Sequence, residues 1–140
     1  MAQYTANAVQ TVEENQNILF TETPICGSCS IMHRAGSGLV NLRGITNQCR
    51  ARFKVFFNGN IAVPTGGTAG AISVAIALDG EPVGSSTMIV TPAAVENYFN
   101  VAGEVFVNVP ANCCITAAVR NTSDQAILVQ NANLIVERVA

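Results

Sequence analysis

The chain of 140 residues has no tryptophan, one histidine (His33) and few charges, with seven Lys or Arg against nine Asp or Glu. Each shortage excludes something. Nucleophilic hydrolases need a base within reach of a nucleophile, and one histidine with no nucleophile elbow leaves that chemistry without parts. A net charge of −2 supplies no electrostatic footprint for nucleic acid or for an anionic membrane surface. No apolar run approaches the roughly 20 residues of a spanning helix. The opening Met1-Ala2-Gln3-Tyr4-Thr5-Ala6-Asn7 has neither a basic nor an apolar stretch, so no signal peptide is expected and synthesis in the cytoplasm is. The expected partners therefore include neither nucleic acid nor membrane, and no cofactor is expected.

Charged residues make up 11% of the chain while hydrophobic ones make up 49%; the charged share of ordinary globular proteins is roughly 25%. Asn, Thr, Ser and Gln can cover part of the outside. Burial of apolar surface between subunits accounts for the rest, and self-association is expected.

What is present is alternation and turn chemistry. Asn58-Gly59 and Asp79-Gly80 each interrupt a β-rich run with a dipeptide that tolerates positive φ, which predicts two hairpins with type I′ turns. Period two places Ala51, Phe53, Val55 and Phe57 on a core face, with Arg50, Arg52 and Lys54 opposite. That basic stripe, with Arg43 expected to adjoin it, reads as a solvated strand face or one that meets Glu residues across a subunit boundary. Ile72, Val74, Ile76 and Leu78 form a second apolar face; Val105, Val107 and Val109 form a third. Ala126–Val139 reads as a closing strand bent at Asn131, with Leu134 and Val136 inward. Residues 1–16 read as a polar arm, Asn17–Glu22 as the first strand, and Pro92–Glu96 as one helical turn capped by Thr91. Loop tips are expected at Thr23–Ser30, Thr65–Gly70 and Thr91–Asn97.

Strands recurring every roughly 8–12 residues, without strand–helix alternation, predict an all-β protein. Its architecture is an antiparallel two-sheet sandwich or jelly roll, formed as a single domain over 17–140. The residues expected in its core or at a subunit interface are Phe53, Val55, Phe57, Ile76, Leu78, Val107, Leu134 and Val136.

Five cysteines (Cys26, Cys29, Cys49, Cys113 and Cys114) are an odd number, so at least one thiol stays unpaired within a chain. Cys113 and Cys114 are expected in a strand, pointing to opposite faces. Cys26-Gly27-Ser28-Cys29 has the spacing of half a zinc knuckle. A structural zinc site usually needs four ligands, so Cys49 with one of Cys113 or Cys114, or His33, would complete it only if the fold gathers them. Otherwise these are reduced loop thiols or a local disulfide.

Asn17-Ile18-Leu19-Phe20, the Phe53–Val63 run, Ile76-Ala77-Leu78-Asp79-Gly80-Glu81-Pro82-Val83, Val107-Asn108-Val109-Pro110 and the closing Asn131–Arg138 follow one another in an order and spacing that resembles a known family. It is the tumour-necrosis-factor and complement globular-head superfamily, in its bacterial and phage branch. That branch holds small virion proteins and the heads of collagen-like spore-surface proteins. The resemblance spans about residues 15–140, and no Gly-X-Y stalk accompanies it. It implies a TNF-like jelly roll, a homotrimer and no enzymatic activity. The expected function is a structural one, on a phage particle, as a capsid decoration or head-fibre accessory partnered by capsid or other virion protein. The alternative is a receptor- or glycan-binding head.

Overall fold

The computed structural model describes residues 1–140. It contains twelve strands and a single 3-10 turn, Gly84–Ser86. In chain order the strands are β1 (Ala2–Ala6), β2 (Gln10–Val12), β3 (Glu22–Ile25), β4 (Ile31–His33), β5 (Val40–Arg43), β6 (Arg50–Ala62), β7 (Ile72–Leu78), β8 (Glu81–Pro82), β9 (Met88–Val90), β10 (Phe99–Pro110), β11 (Cys114–Asn121) and β12 (Ile127–Arg138). One sheet runs β10-β6-β12-β1-β3, with β2 also paired to β12; the other runs β4-β5-β11-β7-β8, with β9 on β7. Every pairing is antiparallel. The long strands β6, β7, β10, β11 and β12 alternate between the two sheets along the chain, which makes the sandwich a jelly roll.

Inward-facing positions fuse into one core of 30 buried residues. Phe53, Val55, Phe57, Ile76, Val107, Leu134 and Val136 all lie in it, and Leu78 packs half-buried at its margin. The seven core side chains are enclosed by their own chain, so they build the sandwich and cannot face another subunit. Phe20 meets Phe57 edge-on, with ring centroids 6.4 Å apart, a favoured aromatic geometry.

Several sequence readings are corrected here. Asn58-Gly59 is not a turn: β6 runs straight through it, pairing with β10 on one side and β12 on the other. Burial continues in phase from Ala51 through Phe57 and Gly59 to Ile61. Gly59 is needed for closeness instead. A Cβ there would stand 3.1 Å from Phe57 Cζ and 3.4 Å from Ala132 Cα. Ala132 lies beside a register shift in β12, where Asn131 takes φ 56°. The glycine thus lets a bulged strand lie against β6, and the expected bend at Asn131 is this bulge. Asp79-Gly80 does turn the chain, with φ of 51° and 86°, both positive as a type I′ turn requires. Asp79 Oδ1 fixes it by accepting from the Thr116 N–H at 2.9 Å.

Residues 1–16 are not an arm outside the sandwich. β1 lies between β12 and β3, burying Ala2, Tyr4 and Ala6, and β2 pairs with β12. Small alanines alternating with Gln3 and Thr5 leave too faint an apolar period to read. Asn17–Glu22 is accordingly not the first strand. It is an extended crossing segment whose Ile18 and Phe20 are fully buried, tied down by single bridges from Asn17 to Arg120 and from Phe20 to Ser37. Pro92–Glu96 makes no helical turn, and Glu96 sits at φ 56°. Thr23–Ile25 belongs to β3 rather than to a loop tip. Cys113 lies in the turn ahead of β11, which Cys114 begins.

Asn121 closes the far end of β11. Fully buried, it donates through Nδ2 to the carbonyls of Val12 at 3.0 Å and Gln125 at 2.9 Å, and Oδ1 accepts from the Ser123 N–H at 2.9 Å. Asn121→Ala strands backbone groups on two segments, β2 and the β11–β12 connection, and is expected to cost about 2–4 kcal/mol. Urea denaturation of the purified variant measures it; a midpoint equal to that of the parent would contradict this role.

Candidate functional site

The outer face of the β10-β6-β12-β1-β3 sheet has no layer over it, and its side chains can be followed strand by strand from the register. Opposite partners run Glu104–Phe56–Ile135–Gln3–Ile25 across five strands. The next row runs Phe106–Lys54–Glu137. Period two aims all of these away from the core. Phe106 is 64% exposed and Ile25 44%, while Phe56 and Ile135 are half-buried. Lys54, Phe56, Ile135 and Glu137 line a shallow hollow of about 210 Å³.

Polar groups frame this apolar centre. Lys54 Nζ lies 3.3 Å from Glu104 Oε2. Arg52 Nε donates to Asn108 Oδ1 at 3.0 Å. On the other side an amide ladder crosses three strands: Gln3 Nε2 donates to Asn133 Oδ1, and Asn133 Nδ2 to Asn58 Oδ1, both at 2.9 Å. An apolar centre with a satisfied polar rim is the anatomy of a protein–protein contact. The basic stripe of Arg50, Arg52 and Lys54 thus lies on this face, with Lys54 paired within the chain.

The sequence reading missed Phe56, Phe106, Ile135 and Ile25. Their signal is apolar residues on the wrong beat: Phe56 and Ile135 fall between core residues, and Phe106 stands among Glu104 and Asn108 at positions reserved for solvent.

The cysteine readings resolve differently. Cys26, Cys29 and His33 border one cleft of about 530 Å³ together with Tyr4; Cys49 lies elsewhere, ahead of β6. No three His, Cys, Asp or Glu side chains converge as a metal would require. His33 stacks on Tyr4 with ring centroids 4.4 Å apart, and its Nε2 lies 2.8 Å from Ser37 O.

Burial, with a further push from Cys26, raises the Tyr4 hydroxyl above its ordinary value of 10.0. In the unfolded chain Tyr4 therefore loses its proton first, and above about pH 10 the unfolded state binds fewer protons than the folded one. Stability should fall as pH rises from there, and Tyr4→Phe should flatten that fall. Guanidinium midpoints at pH 8 and pH 11 test it; identical slopes for both proteins would refute it.

No protein-family model and no curated protein sequence matches the chain. Solved structures do. The Eiger TNF of S. frugiperda superposes with a TM-score of 0.66 at 13% identity, covering 99% of this chain and 91% of that one. Murine APRIL gives 0.63 at 6% identity, over 97% and 98%. The globular domain of zebrafish complement 1qA gives 0.62 at 9% identity, over 96% and 94%. At such identities the likeness establishes architecture, and the architecture is an all-β, antiparallel, two-sheet jelly roll of the TNF and C1q-head kind.

Proposed function

We propose that this chain is a non-enzymatic structural subunit that assembles as a homotrimer through the outer face of the β10-β6-β12-β1-β3 sheet. The observation that carries the reading is the uncovered sheet face where Phe56 and Ile135 adjoin, with Phe106 in the next row and Ile25 beyond Gln3, inside a polar rim. Leaving such a patch in water is costly, and burying it against other copies removes that cost. Low surface charge and the TNF-like architecture support the same assembly, and closed rings are the usual outcome of self-association.

The setting we propose is a phage particle, with the trimer as a capsid decoration or head-fibre accessory; its support is the sequence resemblance to the phage branch. Native mass spectrometry of the purified chain tests the assembly, where a trimer is expected and a stable monomer at micromolar concentration would refute it. Immunogold electron microscopy of native particles tests the setting. Label on the particle surface is expected, and particles without label would refute the virion role while leaving the trimer standing.

A further inference from the structure

All five cysteines are exposed, although cysteine is among the side chains most often buried. The backbone gathers them at one end of the sandwich. Cys49 O accepts from the Ala111 N–H at 3.0 Å, and Cys113 O accepts from the Gly44 N–H at 2.8 Å. Cys114 opens β11 opposite Arg43, and Arg43 Nη1 donates to Cys29 O at 3.3 Å. Cys26 shares the cleft of Cys29 and Tyr4. The thiols form an arc over this pole, from Cys26 where β3 ends to Cys49 where β6 begins beside β10.

Arithmetic limits what they can do alone. Adjacent Cα atoms are about 3.8 Å apart, short of the usual disulfide range of about 4.4–6.8 Å, so Cys113 and Cys114 are poor partners for each other. Even two bonds within a chain leave one of the five thiols over. Meeting pole to pole would set Arg43, Arg50, Arg52 and Arg138 against their own kind, and none of the four is paired with a carboxylate side chain. Neighbours in a ring meet through unlike sides instead, which brings opposite ends of the arc together.

We propose that this pole is a cross-linking site, where a thiol of Cys26 or Cys29 in one copy forms a disulfide with Cys49, Cys113 or Cys114 of the neighbouring copy. The inference rests on the self-association proposed above. A small disulfide such as oxidised glutathione serves as oxidant: one protein thiolate attacks it, releasing one reduced thiol, and the neighbour's thiolate then displaces the second. Two protein thiols become one S–S bond, and the small disulfide leaves as two thiols carrying both electrons and both protons. The bond locks the ring once the assembly leaves a reducing compartment.

The test treats the full chain with oxidised glutathione or with dithiothreitol and compares native mass with denaturing electrophoresis run without reductant. Covalent dimers and trimers are expected only after oxidation. Peptide mapping should join Cys26 or Cys29 to Cys49, Cys113 or Cys114. The variant C26S/C29S/C49S/C113S/C114S should keep the native trimer mass and lose every covalent species. A native trimer that yields only monomers after oxidation and denaturation overturns the cross-link and leaves the assembly intact. A native mass of one chain under dithiothreitol, with or without covalent dimers after oxidation, overturns both.

Discussion

Phe57→Ala is expected to lower stability by about 3–5 kcal/mol, the cost of deleting a buried aromatic side chain. Three observations put it at the upper end of mutational effects. Phe57 is completely enclosed, it takes the edge-on contact with Phe20, and its ring tip lies against the space kept open at Gly59. Truncation leaves a void bordered by both sheets, and the paired backbones of β6, β10 and β12 cannot collapse into it. Against a typical total of about 5–15 kcal/mol, such a loss brings the domain near its unfolding threshold. Scanning calorimetry should show the melting temperature reduced by about 10–20 °C. A fall of under about 2 °C would mean that the core relaxes around the gap.

Phe106→Asp tests the opposite kind of site. Being 64% exposed in the single chain, Phe106 contributes little to the fold, and its replacement should change unfolding stability by no more than about 0.5 kcal/mol. In the proposed trimer the same position is covered, and a carboxylate there would be desolvated beside Lys54, which already holds Glu104. Central aromatic anchors commonly carry at least about 2 kcal/mol of an association, roughly a thirtyfold change in affinity at each contact. Sedimentation equilibrium should therefore show a folded monomer where the parent is a trimer. Lys54→Ala, at the rim, should leave the trimer intact. A trimer unaffected by Phe106→Asp would place the interface elsewhere.

The two variants separate what the sequence makes readable from what it does not. The core is readable because period-two burial is a local property. Phe53, Val55, Phe57, Ile76, Val107, Leu134 and Val136 declare it through their immediate neighbours. The Asp79-Gly80 turn is readable for the same reason, since both residues have the positive φ their chemistry favours. Asn58-Gly59 carries an identical local signal, overruled by partners more than forty residues away. Phase is the clue that distinguishes them: Phe57 and Ile61 share a face only if the strand continues, whereas a two-residue turn would pair Phe57 with Asn60. β1 is hidden for a different reason. Ala2, Tyr4 and Ala6 are core residues because Val136, Leu134 and Ala132 lie beside them, and nothing within Ala2–Ala6 reports that neighbour. The assembly face is half legible, since Phe56, Phe106 and Ile135 break the polar phase, while their gathering into one patch depends on register across five strands.

The position of β12 also sets a timetable. It comes after the other eleven strands in the chain, yet it lies in the middle of its sheet, gripping β6, β1 and β2. Until it emerges, β1 has its inner edge open and β6 is paired only through β10, so neither half of that sheet can be completed from the residues already synthesised. The nascent chain must hold both unpaired edges apart until β12 has been synthesised. Such long-range closure is slow, on the order of milliseconds to seconds, and it makes the finishing strand, rather than the first hairpin, the step at which the chain is most exposed to mispairing with its own kind.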